Sequence, residues 1–384
     1  MPTRIYLDNS ATTPVAKEVL DAMEPYHATE YGNASSLHAF GRTARTAIDQ
    51  ARTTIADLLH VSPREIVFTS GATEANNLAV LGAAFASTDR KHIITSTLEH
   101  HAVLHSIDWL ESRGYEITRI PVDSTGRVDP AHVRDAIRPD TLLVSIMAGN
   151  NEIGTLQPIN ELGVLCRERG TIFHTDAVQA YGKIELHTAS IDMLSVSAHK
   201  LHGPKGVGFL FVRKGVKLTP LLHGGGHESG RRSGTENVPG IVGLGAASRL
   251  AFAEQAETTA RMATFRNRLI EEVSKLPGTR LNGHPTLGLP HIANFSFEAI
   301  EGESLVMKLD EHGIAASTGS ACSSPDLEAS HVLLAIGVPL SMAHGSLRVS
   351  TGRQTTDDEI EAFLRVLPEV VGELRAMSPF KVGE

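Results

Sequence analysis

Apolar positions along the first two thirds of the chain follow two alternating patterns. Between residues 42 and 59, alanine, isoleucine and leucine recur at helical spacing, which predicts a helix that packs through one face. Residues 141–147 and 191–196 form near-continuous apolar runs, which predict strands that are covered on both faces. Because such strands and helices alternate up to residue 212, we predict an α/β domain with a mainly parallel central sheet flanked by helices.

The pattern changes after residue 212. A glycine-rich segment at 223–235 precedes a long helical pattern over residues 241–276, and the remainder predicts a smaller α+β unit. A chain of 384 residues is longer than one hydrophobic core usually supports. We therefore expect a large domain of residues 15–255 and a small domain formed by residues 1–14 and 256–384.

Composition and charge exclude several classes of protein. The formal net charge of -9 argues against a protein that binds nucleic acid directly. No apolar run reaches the roughly 18 residues that a membrane span requires, and the first residues lack the pattern of a signal peptide. The chain has 2 cysteines, too few for a disulfide framework, so we expect a cytoplasmic protein with no membrane partner. We predict no metal site.

One lysine stands where a buried strand is predicted to end. The apolar run 191–196 leads into small and polar residues around Lys200, and a glycine- and proline-containing turn then leads into a second apolar run, 207–212. A lysine in such a position is costly unless it is paired or used covalently. Lys200 is therefore either the Schiff-base lysine of an aldehyde cofactor or a solvated loop residue, and on its own the solvated loop is the commoner case.

A carboxylate follows the preceding predicted strand. Asp176 comes directly after the run 171–174, and a carboxylate there needs a positive partner or several hydrogen-bond donors. The protonated ring nitrogen of pyridoxal phosphate is one such partner, with Gln179 donating to the ring hydroxyl. An ordinary helix N-cap is the alternative for Asp176.

A phosphate site and a ring contact are also predicted. The segment Ser70-Gly-Ala-Thr73 lies between a strand and a helix, so free backbone N–H groups and the Thr73 hydroxyl converge at the positive end of the helix. Ser197 and His199 add further donors, whereas an ordinary helix cap is the alternative. His100 begins another helix, where its ring either stacks on a pyridine ring or is simply solvated.

The two cysteines lie in contrasting surroundings. Cys322 is flanked by small and turn-forming residues, in a predicted loop over 318–326. A free thiol has a pKa of about 8.5, so enough thiolate is present at neutral pH for nucleophilic attack. Cys322 is thus a candidate nucleophile or an incidental surface cysteine. Cys166 falls on the apolar face of a predicted helix, which is typical of a small core residue.

Together these segments match one family. The chain resembles the class-I cysteine desulfurases of the NifS/IscS type, which are fold-type I pyridoxal-phosphate transferases of the class-V aminotransferase group. The resemblance extends from residue 6 to residue 353 and rests on the motifs Ser70-Gly-Ala-Thr-Glu-Ala-Asn-Asn77, Glu99-His-His-Ala-Val103, Asn150-Asn-Glu-Ile-Gly154, His174-Thr-Asp-Ala-Val-Gln179, Ser197-Ala-His-Lys200-Leu-His-Gly-Pro-Lys-Gly206, Arg232-Ser-Gly-Thr235-Glu-Asn237 and Ser317-Thr-Gly-Ser-Ala-Cys322-Ser.

The resemblance implies a role for each matched residue. Lys200 would bind pyridoxal 5'-phosphate as a Schiff base, and Cys322 and His100 would act with it in catalysis. Arg348 and Asn151 would bind the substrate, since a guanidinium matches a carboxylate bidentately. Thr235 would reach the site of the second subunit of a homodimer. The remaining cofactor contacts would be made by residues of the same chain, namely Ala72, Thr73, His100, Asn151, Asp176, Gln179, Ser197 and His199.

The resemblance also implies a reaction. L-cysteine would bind through its carboxylate to Arg348, Lys200 would move its α-proton, and the Cys322 thiolate would attack its sulfur to give L-alanine and a persulfide. An acceptor protein such as an iron–sulfur scaffold would then take the sulfur, for iron–sulfur cluster assembly. Three alternatives stay open: sulfur donation for tRNA or DNA thio-modification, another enzyme of this fold such as a selenocysteine lyase or an aminotransferase, and a scaffold without the chemistry.

Overall fold

Strands and helices alternate along most of the computed structural model, which describes residues 4–319 and 329–383. The strands are β1 (Ile5–Tyr6), β2 (Ile66–Thr69), β3 (His92–Ser96), β4 (Glu116–Ile120), β5 (Thr141–Ser145), β6 (Ile172–Asp176), β7 (Met193–Ser197), β8 (Gly208–Val212), β9 (Thr279–Asn282), β10 (Ile292–Phe297), β11 (Ile314–Ala315) and β12 (Ser346–Ser350). The helices are α1 (Lys17–Met23), α2 (Pro25–Ala28), α3 (Ala39–Leu59), α4 (Ala72–Ala86), α5 (His101–Glu111), α6 (Pro130–Ala136), α7 (Ile159–Glu168), α8 (Val238–Ala253), α9 (Gln255–Val273), α10 (Gly302–Glu311), α11 (His331–Ala335), α12 (Leu340–Ala343) and α13 (Asp357–Met377).

The central sheet is mainly parallel, as the sequence predicts. Within the described residues it has seven strands in the order β2-β8-β7-β6-β5-β3-β4. The pairs β3–β4, β3–β5, β5–β6 and β6–β7 are parallel, whereas β8 runs antiparallel to both β2 and β7. The parallel strands therefore end at one edge of the sheet, where ligand sites form in open α/β sheets.

Helices cover both faces of this sheet. Alternate strand residues point to opposite faces, so Phe68 and Phe209 pack with α3 and α8, whereas Val67 and Leu210 pack with α4 and α5. Each of these four side chains is at most 3% exposed. The continuous apolar runs of the sequence thus correspond to strands that are buried on both sides.

A second hydrophobic core lies in the C-terminal part of the chain. The antiparallel sheet β12-β10-β9 and the parallel pair β1–β11 pack with α9, α10 and α13 around buried residues such as Phe265, Phe295 and Phe363. This is the smaller α+β unit that the sequence predicts. No helix in residues 4–319 and 329–383 is long and apolar enough to cross a membrane.

The prediction of one long helix over residues 241–276 is wrong, because the structure has two helices there. The helices α8 and α9 meet at Glu254, whose backbone is not helical, with φ -100° and ψ 3°. The Glu254 carboxylate binds the guanidinium of Arg353 at 2.6 Å. Since α8 packs on α3 and α9 packs on α13 and β10, the chain changes from the first core to the second at this break.

Candidate active site

A cavity of about 610 Å³ opens at the carboxyl ends of the parallel strands. The structure brings most of the predicted site residues together here. Thr235 does not line the cavity of its own chain and is exposed. Cys322 and most of its predicted loop lie outside the described residues. The predicted residues that line the cavity are Ala72, Thr73, His100, Asn151, Asp176, Gln179, Ser197, His199, Lys200 and Arg348.

Lys200 enters the cavity from the short turn that follows β7. This 3₁₀ turn, Ala198–Lys200, begins where the buried strand ends. The Nζ atom of Lys200 donates to the carbonyl oxygens of Ser10 at 2.5 Å and Ala11 at 2.7 Å. Both carbonyls belong to the N-terminal segment, which therefore orients the amine without neutralising its charge.

Asp176 is the last residue of β6 and is 7% exposed. Its Oδ2 atom accepts from Nδ2 of Asn76 at 2.7 Å, and its Oδ1 atom accepts from the N–H of Val178 at 3.0 Å. Both donors are neutral, so they hold the carboxylate in place and leave its negative charge for a cationic group in the cavity. Asn76 is a site residue that the sequence analysis missed, although it lies inside the quoted motif 70–77.

Gln179 lies one turn beyond Asp176 and is 3% exposed. Its Nε2 atom donates to the carbonyl of Ser10 at 3.0 Å, and its Oε1 atom lies 3.1 Å from Nε2 of His291. Burial and nearby cations lower the pKa of His291 well below its usual value, so this ring is neutral and donates to Gln179. The second N–H of the Gln179 amide remains for a ligand oxygen.

His100 caps the N-terminus of α5. Its Nδ1 atom accepts from the N–H of Ala102 at 3.0 Å, so the neutral ring carries its proton on Nε2. Burial lowers the pKa of His100, and the charge of Lys200 adds to this effect against the opposing charge of Asp176. A neutral imidazole lining the cavity is suited to stacking on an aromatic ring.

The predicted phosphate cradle lies at the N-terminus of α4, beside Ser197 and His199. The first-turn N–H groups of this helix have no acceptor within the helix and attract an anion. A Cβ atom added at Gly71 would lie 3.8 Å from Oγ of Ser197, so a side chain there would fill the cradle. Burial, with the charges of Lys200 and Lys205, lowers the pKa of His199 to about 4, which makes it a neutral hydrogen-bonding group.

Arg348, on β12, brings a guanidinium to the cavity, as the sequence predicts for a substrate carboxylate. Its side chain is 4% exposed and pairs with Asp8, with Nη2 2.9 Å from Oδ1. Its Nη1 atom donates to the carbonyl of Asn151 at 2.9 Å. The sequence analysis missed Asp8, because 340 residues separate the two partners and no local pattern reveals the contact.

A buried acid, Glu152, also lines the cavity. It is 5% exposed, and its Oε2 atom accepts from Oγ of Ser330 at 2.5 Å. Burial raises the pKa of Glu152 above its usual value, although the Ser330 contact and Arg348 oppose the rise. The sequence analysis gave Glu152 no role, even though it stands beside Asn151 in a quoted motif.

The described residues fit pyridoxal phosphate. A carboxylate (Asp176), a lysine amine (Lys200) and the N-terminus of α4 line one cavity, and these are the groups that would hold the ring nitrogen, the aldehyde carbon and the phosphate. Two buried polar atoms of the cavity residues, Oγ of Ser10 and Oδ1 of Asn76, have no partner among the described residues, so polar groups remain for a ligand. No cluster of described histidine, cysteine, aspartate and glutamate residues has the arrangement of a metal site.

Comparison with known proteins gives the same assignment over nearly the whole chain. The aminotransferase class-V family model matches residues 5–363. Cysteine desulfurase IscS of Methanosarcina thermophila is 55% identical over 383 residues, which are 99% of this chain and 95% of that protein. A solved NifS-like protein has a TM-score of 0.91 and 39% identity, and the match covers 97% of this chain and 100% of that chain. A structure of SspA in complex with cysteine has a TM-score of 0.81 and 40% identity over 91% of this chain and 98% of that chain.

The family match and the geometry of the cavity agree on the cofactor. A lysine, an aspartate and a helix N-terminus converge at the strand ends, as a pyridoxal-phosphate enzyme requires. The relatives named above match over almost their full length, so the match includes both hydrophobic cores. The chain therefore belongs to the class-V aminotransferase family and, within it, to the pyridoxal-phosphate-dependent cysteine desulfurases of the NifS/IscS type.

Proposed function

We propose that the chain converts L-cysteine to L-alanine and carries the released sulfur as a persulfide on Cys322. The observation that carries this proposal is the single cavity in which Lys200, Asp176 and Arg348 meet. The structure of SspA with cysteine, at 40% identity, supports cysteine as the substrate. The reaction balances, because one sulfur atom passes from L-cysteine to the Cys322 thiol and L-alanine keeps all other atoms of the substrate.

Each residue of the cavity has a proposed task. Arg348 binds the substrate carboxylate through N–H groups that Asp8 and Asn151 leave available. Lys200, as a free amine after substrate binding, takes the α-proton and later returns it. Bound pyridoxal phosphate supplies the electron sink for this proton transfer. The Cys322 thiolate attacks the substrate sulfur.

The cofactor contacts are proposals of the same kind. Asp176 holds a proton on the ring nitrogen, and Gln179 donates to the ring oxygen. His100 stacks on the ring, in the neutral form that its capping bond favours. The phosphate contacts come from the α4 N-terminus and its neighbours, namely Ala72, Thr73, Ser197 and His199.

Replacing each cysteine in turn tests the mechanism. In assays that contain an added dithiol, which reduces the persulfide to sulfide and the free Cys322 thiol, we expect Cys322→Ala to abolish cysteine-dependent formation of alanine and sulfide, while the visible absorbance of bound cofactor remains. Cys166→Ala is the matched control, because Cys166 is fully buried and burial raises its thiol pKa to about 12. This control should retain activity within about twofold, since an un-ionised buried thiol is inert.

The same experiment separates the competing activities. If Cys322→Ala still released alanine and sulfide from cysteine, the persulfide mechanism would be wrong, and a plain lyase would fit better. Parallel assays with selenocysteine and with keto acids test a selenocysteine lyase and an aminotransferase. A purified protein without visible cofactor absorbance would favour a scaffold that lacks the chemistry.

The proposal also covers the sulfur acceptor, the oligomeric state, the cellular location and the domain limits. We propose an acceptor protein such as an iron–sulfur scaffold, a homodimer in which Thr235 serves the partner subunit, and a cytoplasmic location. The proposed domain limits remain 15–255 for the cofactor-binding domain and 1–14 with 256–384 for the domain that carries Cys322. Capture of acceptor proteins with the persulfide form distinguishes cluster assembly from tRNA or DNA thio-modification.

A further inference from the structure

A second lysine lies directly behind Lys200. The segment after β6 carries Asp176, Gln179 and Lys183 at intervals of three and four residues. Bonds from the N–H of Tyr181 to Ala177 and from the N–H of Ile184 to Ala180 give this segment a helical turn. The three side chains therefore lie on one side of the turn. The proposed mechanism uses the first two and gives Lys183 no task.

The ammonium group of Lys183 contacts the backbone of Lys200. Its Nζ atom donates to the Lys200 carbonyl oxygen at 2.9 Å. No acidic side chain among residues 4–319 and 329–383 forms an ion pair with it, and burial, with repulsion from Lys200, lowers the pKa of Lys183 to about 7. Burying a cation beside a neutral acceptor costs stability that an apolar side chain of equal length avoids. The contact with Lys200 is the feature that an apolar side chain would lack.

The turn that bears Lys200 is fixed from two sides. On the cavity side, Thr13 donates its N–H to the carbonyl of His199 at 2.9 Å, and Ser10 and Ala11 accept from the Lys200 amine. On the opposite side, Lys183 holds the next carbonyl, that of Lys200 itself. The backbone carbonyl of Lys183 accepts from the hydroxyl of Thr259 at 2.8 Å, so α9 anchors Lys183 in turn.

Lys183 also adds positive charge to its surroundings. Its charge contributes to the lowered pKa values of His199, His202 and His291, and Lys200 lies closest to it. A small cavity of about 50 Å³ separates Lys183 from Glu254 and Arg353. His199 and His202 face Lys183 from the Lys200 turn, and His291 faces it from the segment before β10. Glu254 lies at the α8–α9 break, and Arg353 lies in the loop after β12.

We propose that Lys183 is a positioning residue for Lys200. It holds the Lys200 carbonyl and so fixes the turn from which the Lys200 amine enters the cavity. The proposal rests on the proposed role of Lys200 in cofactor binding and proton transfer, which requires the amine to lie within reach of the substrate α-proton.

The variants Lys183→Met and Lys183→Arg test this role in the cofactor-loaded enzyme. Methionine keeps the length of the side chain and removes both the donor and the charge. Arginine keeps both and remains charged at every accessible pH, and the adjacent cavity of about 50 Å³ leaves room for its larger head. The readouts are kcat, KM for cysteine, cofactor content from the visible absorbance, and Tm.

For Lys183→Met we expect kcat to fall roughly 10-fold to 100-fold because Lys200 is displaced, with KM for cysteine within about threefold. For Lys183→Arg we expect kcat within about fivefold, because the hydrogen-bond donor to the Lys200 carbonyl is kept.

Two results would overturn the proposal. One is a folded, cofactor-loaded Lys183→Met protein with an unchanged kcat. The other is an equal loss of kcat in both variants, which indicates packing alone. Should the methionine variant fail to fold, Lys183→Leu also removes the donor and provides the same comparison. An unsubstituted protein that lacked cofactor absorbance or turnover would instead contradict the proposed function.

Discussion

At the scale of single residues, Asp176 is held by neutral donors. Its carboxylate accepts from the amide of Asn76 and from the backbone N–H of Val178. Hydrogen bonds from neutral groups fix the geometry of the carboxylate and leave its charge available to a cofactor.

The charge of Asp176 can be removed without changing its shape. We expect Asp176→Asn to lower kcat by about 100-fold or more, since an amide does not hold a proton on the ring nitrogen. The visible spectrum of the bound cofactor should change with it. Steady-state kinetics and absorbance spectra check both effects.

The control for that experiment is Asn76→Ala. It removes the 2.7 Å hydrogen bond to Asp176 but keeps the carboxylate charge. We expect a smaller loss of kcat, about 3-fold to 10-fold, from one lost hydrogen bond to a charged group. Equal losses in the two variants would mean that the position of Asp176, and not its charge, matters.

Residues whose partners are close in sequence or lie in a motif were predictable from the sequence. Lys200, Asp176 and Thr73 each follow a recognisable strand end or helix start, so their local pattern indicates their chemistry. Asp8 and Lys183 were not predictable, because each acts through a contact made by the fold. Asp8 meets Arg348 across 340 residues, and Lys183 meets a backbone oxygen, which leaves no side-chain signal.

At the scale of elements, the periodicity of apolar residues predicts that a helix or strand exists more reliably than it predicts the residues at which that element begins and ends. The apolar run 207–212 predicts β8 (Gly208–Val212) to within one residue, whereas the run 191–196 predicts β7 (Met193–Ser197) only to within two. The helix α3 begins three residues before the predicted position 42, because His38 caps it by accepting from the N–H of Gly41 at 3.3 Å. The break at Glu254 depends on Arg353, almost a hundred residues later, and periodicity cannot reveal it.

One buried carboxyl links two strand ends. Oε1 of Glu99 accepts from Oγ of Ser96, the last residue of β3, at 2.6 Å and from the N–H of Met147, just beyond β5, at 3.0 Å. Burial raises the pKa of Glu99 to about 8 from its ordinary value of 4.5. The folded protein therefore keeps a proton on Glu99 at neutral pH that the unfolded chain releases.

This proton makes stability depend on pH with a definite sign. Because the pKa is raised on folding, Glu99 contributes stability below pH 4.5 that is lost progressively as the pH rises to about 8. Glu99→Gln mimics the protonated acid and removes that dependence. We expect its Tm to fall less than that of the unsubstituted protein between pH 5 and pH 8, as scanning calorimetry can measure; parallel Tm profiles would contradict the assignment.

Glu74 is a matched control for Glu99, because its pKa shifts in the opposite direction on folding. Burial raises the pKa of Glu74, but hydrogen bonds from Arg232 and Ser70 outweigh it and the net shift is downward. Glu74 is therefore ionised and paired with Arg232 at neutral pH, with Nε 2.8 Å from Oε1. We expect Glu74→Gln to lower Tm at pH 7, and this effect to disappear as the pH falls below 4.5 and through the lowered pKa of the native Glu74 carboxyl.

At the scale of the whole molecule, the N-terminal segment joins the two cores at the active lysine. Residues Ile5–Tyr6 pair with β11 in the smaller unit. A few residues later, Ser10 and Ala11 accept from Lys200 and the N–H of Ala16 donates to the carbonyl of His202 at 3.0 Å. A shift of the smaller unit would thus be transmitted to the cofactor lysine and to Arg348 together.

Thr235 is a proposed site residue that does not line the cavity of its own chain. It is exposed in the single chain. Neighbouring Arg232 pairs with Glu74 in the first turn of α4, so the loop lies beside the predicted phosphate cradle. In the proposed symmetric dimer, the same surface of a second chain would lie near this region, and Thr235 would then reach the partner's phosphate site.

Mixed dimers decide whether Thr235 serves its own chain or the partner chain. Lys200→Ala lacks the cofactor lysine, and Thr235→Asp places a negative charge against the phosphate, so we expect each variant alone to be inactive. A dimer of the two has one site with Lys200 from one chain and Thr235 from the other, both intact. Random pairing of equal amounts should restore about one quarter of the activity, because half the dimers are mixed and each has one working site. If Thr235 served its own chain, no mixed dimer would contain a working site, and the co-expressed sample would stay as inactive as its components.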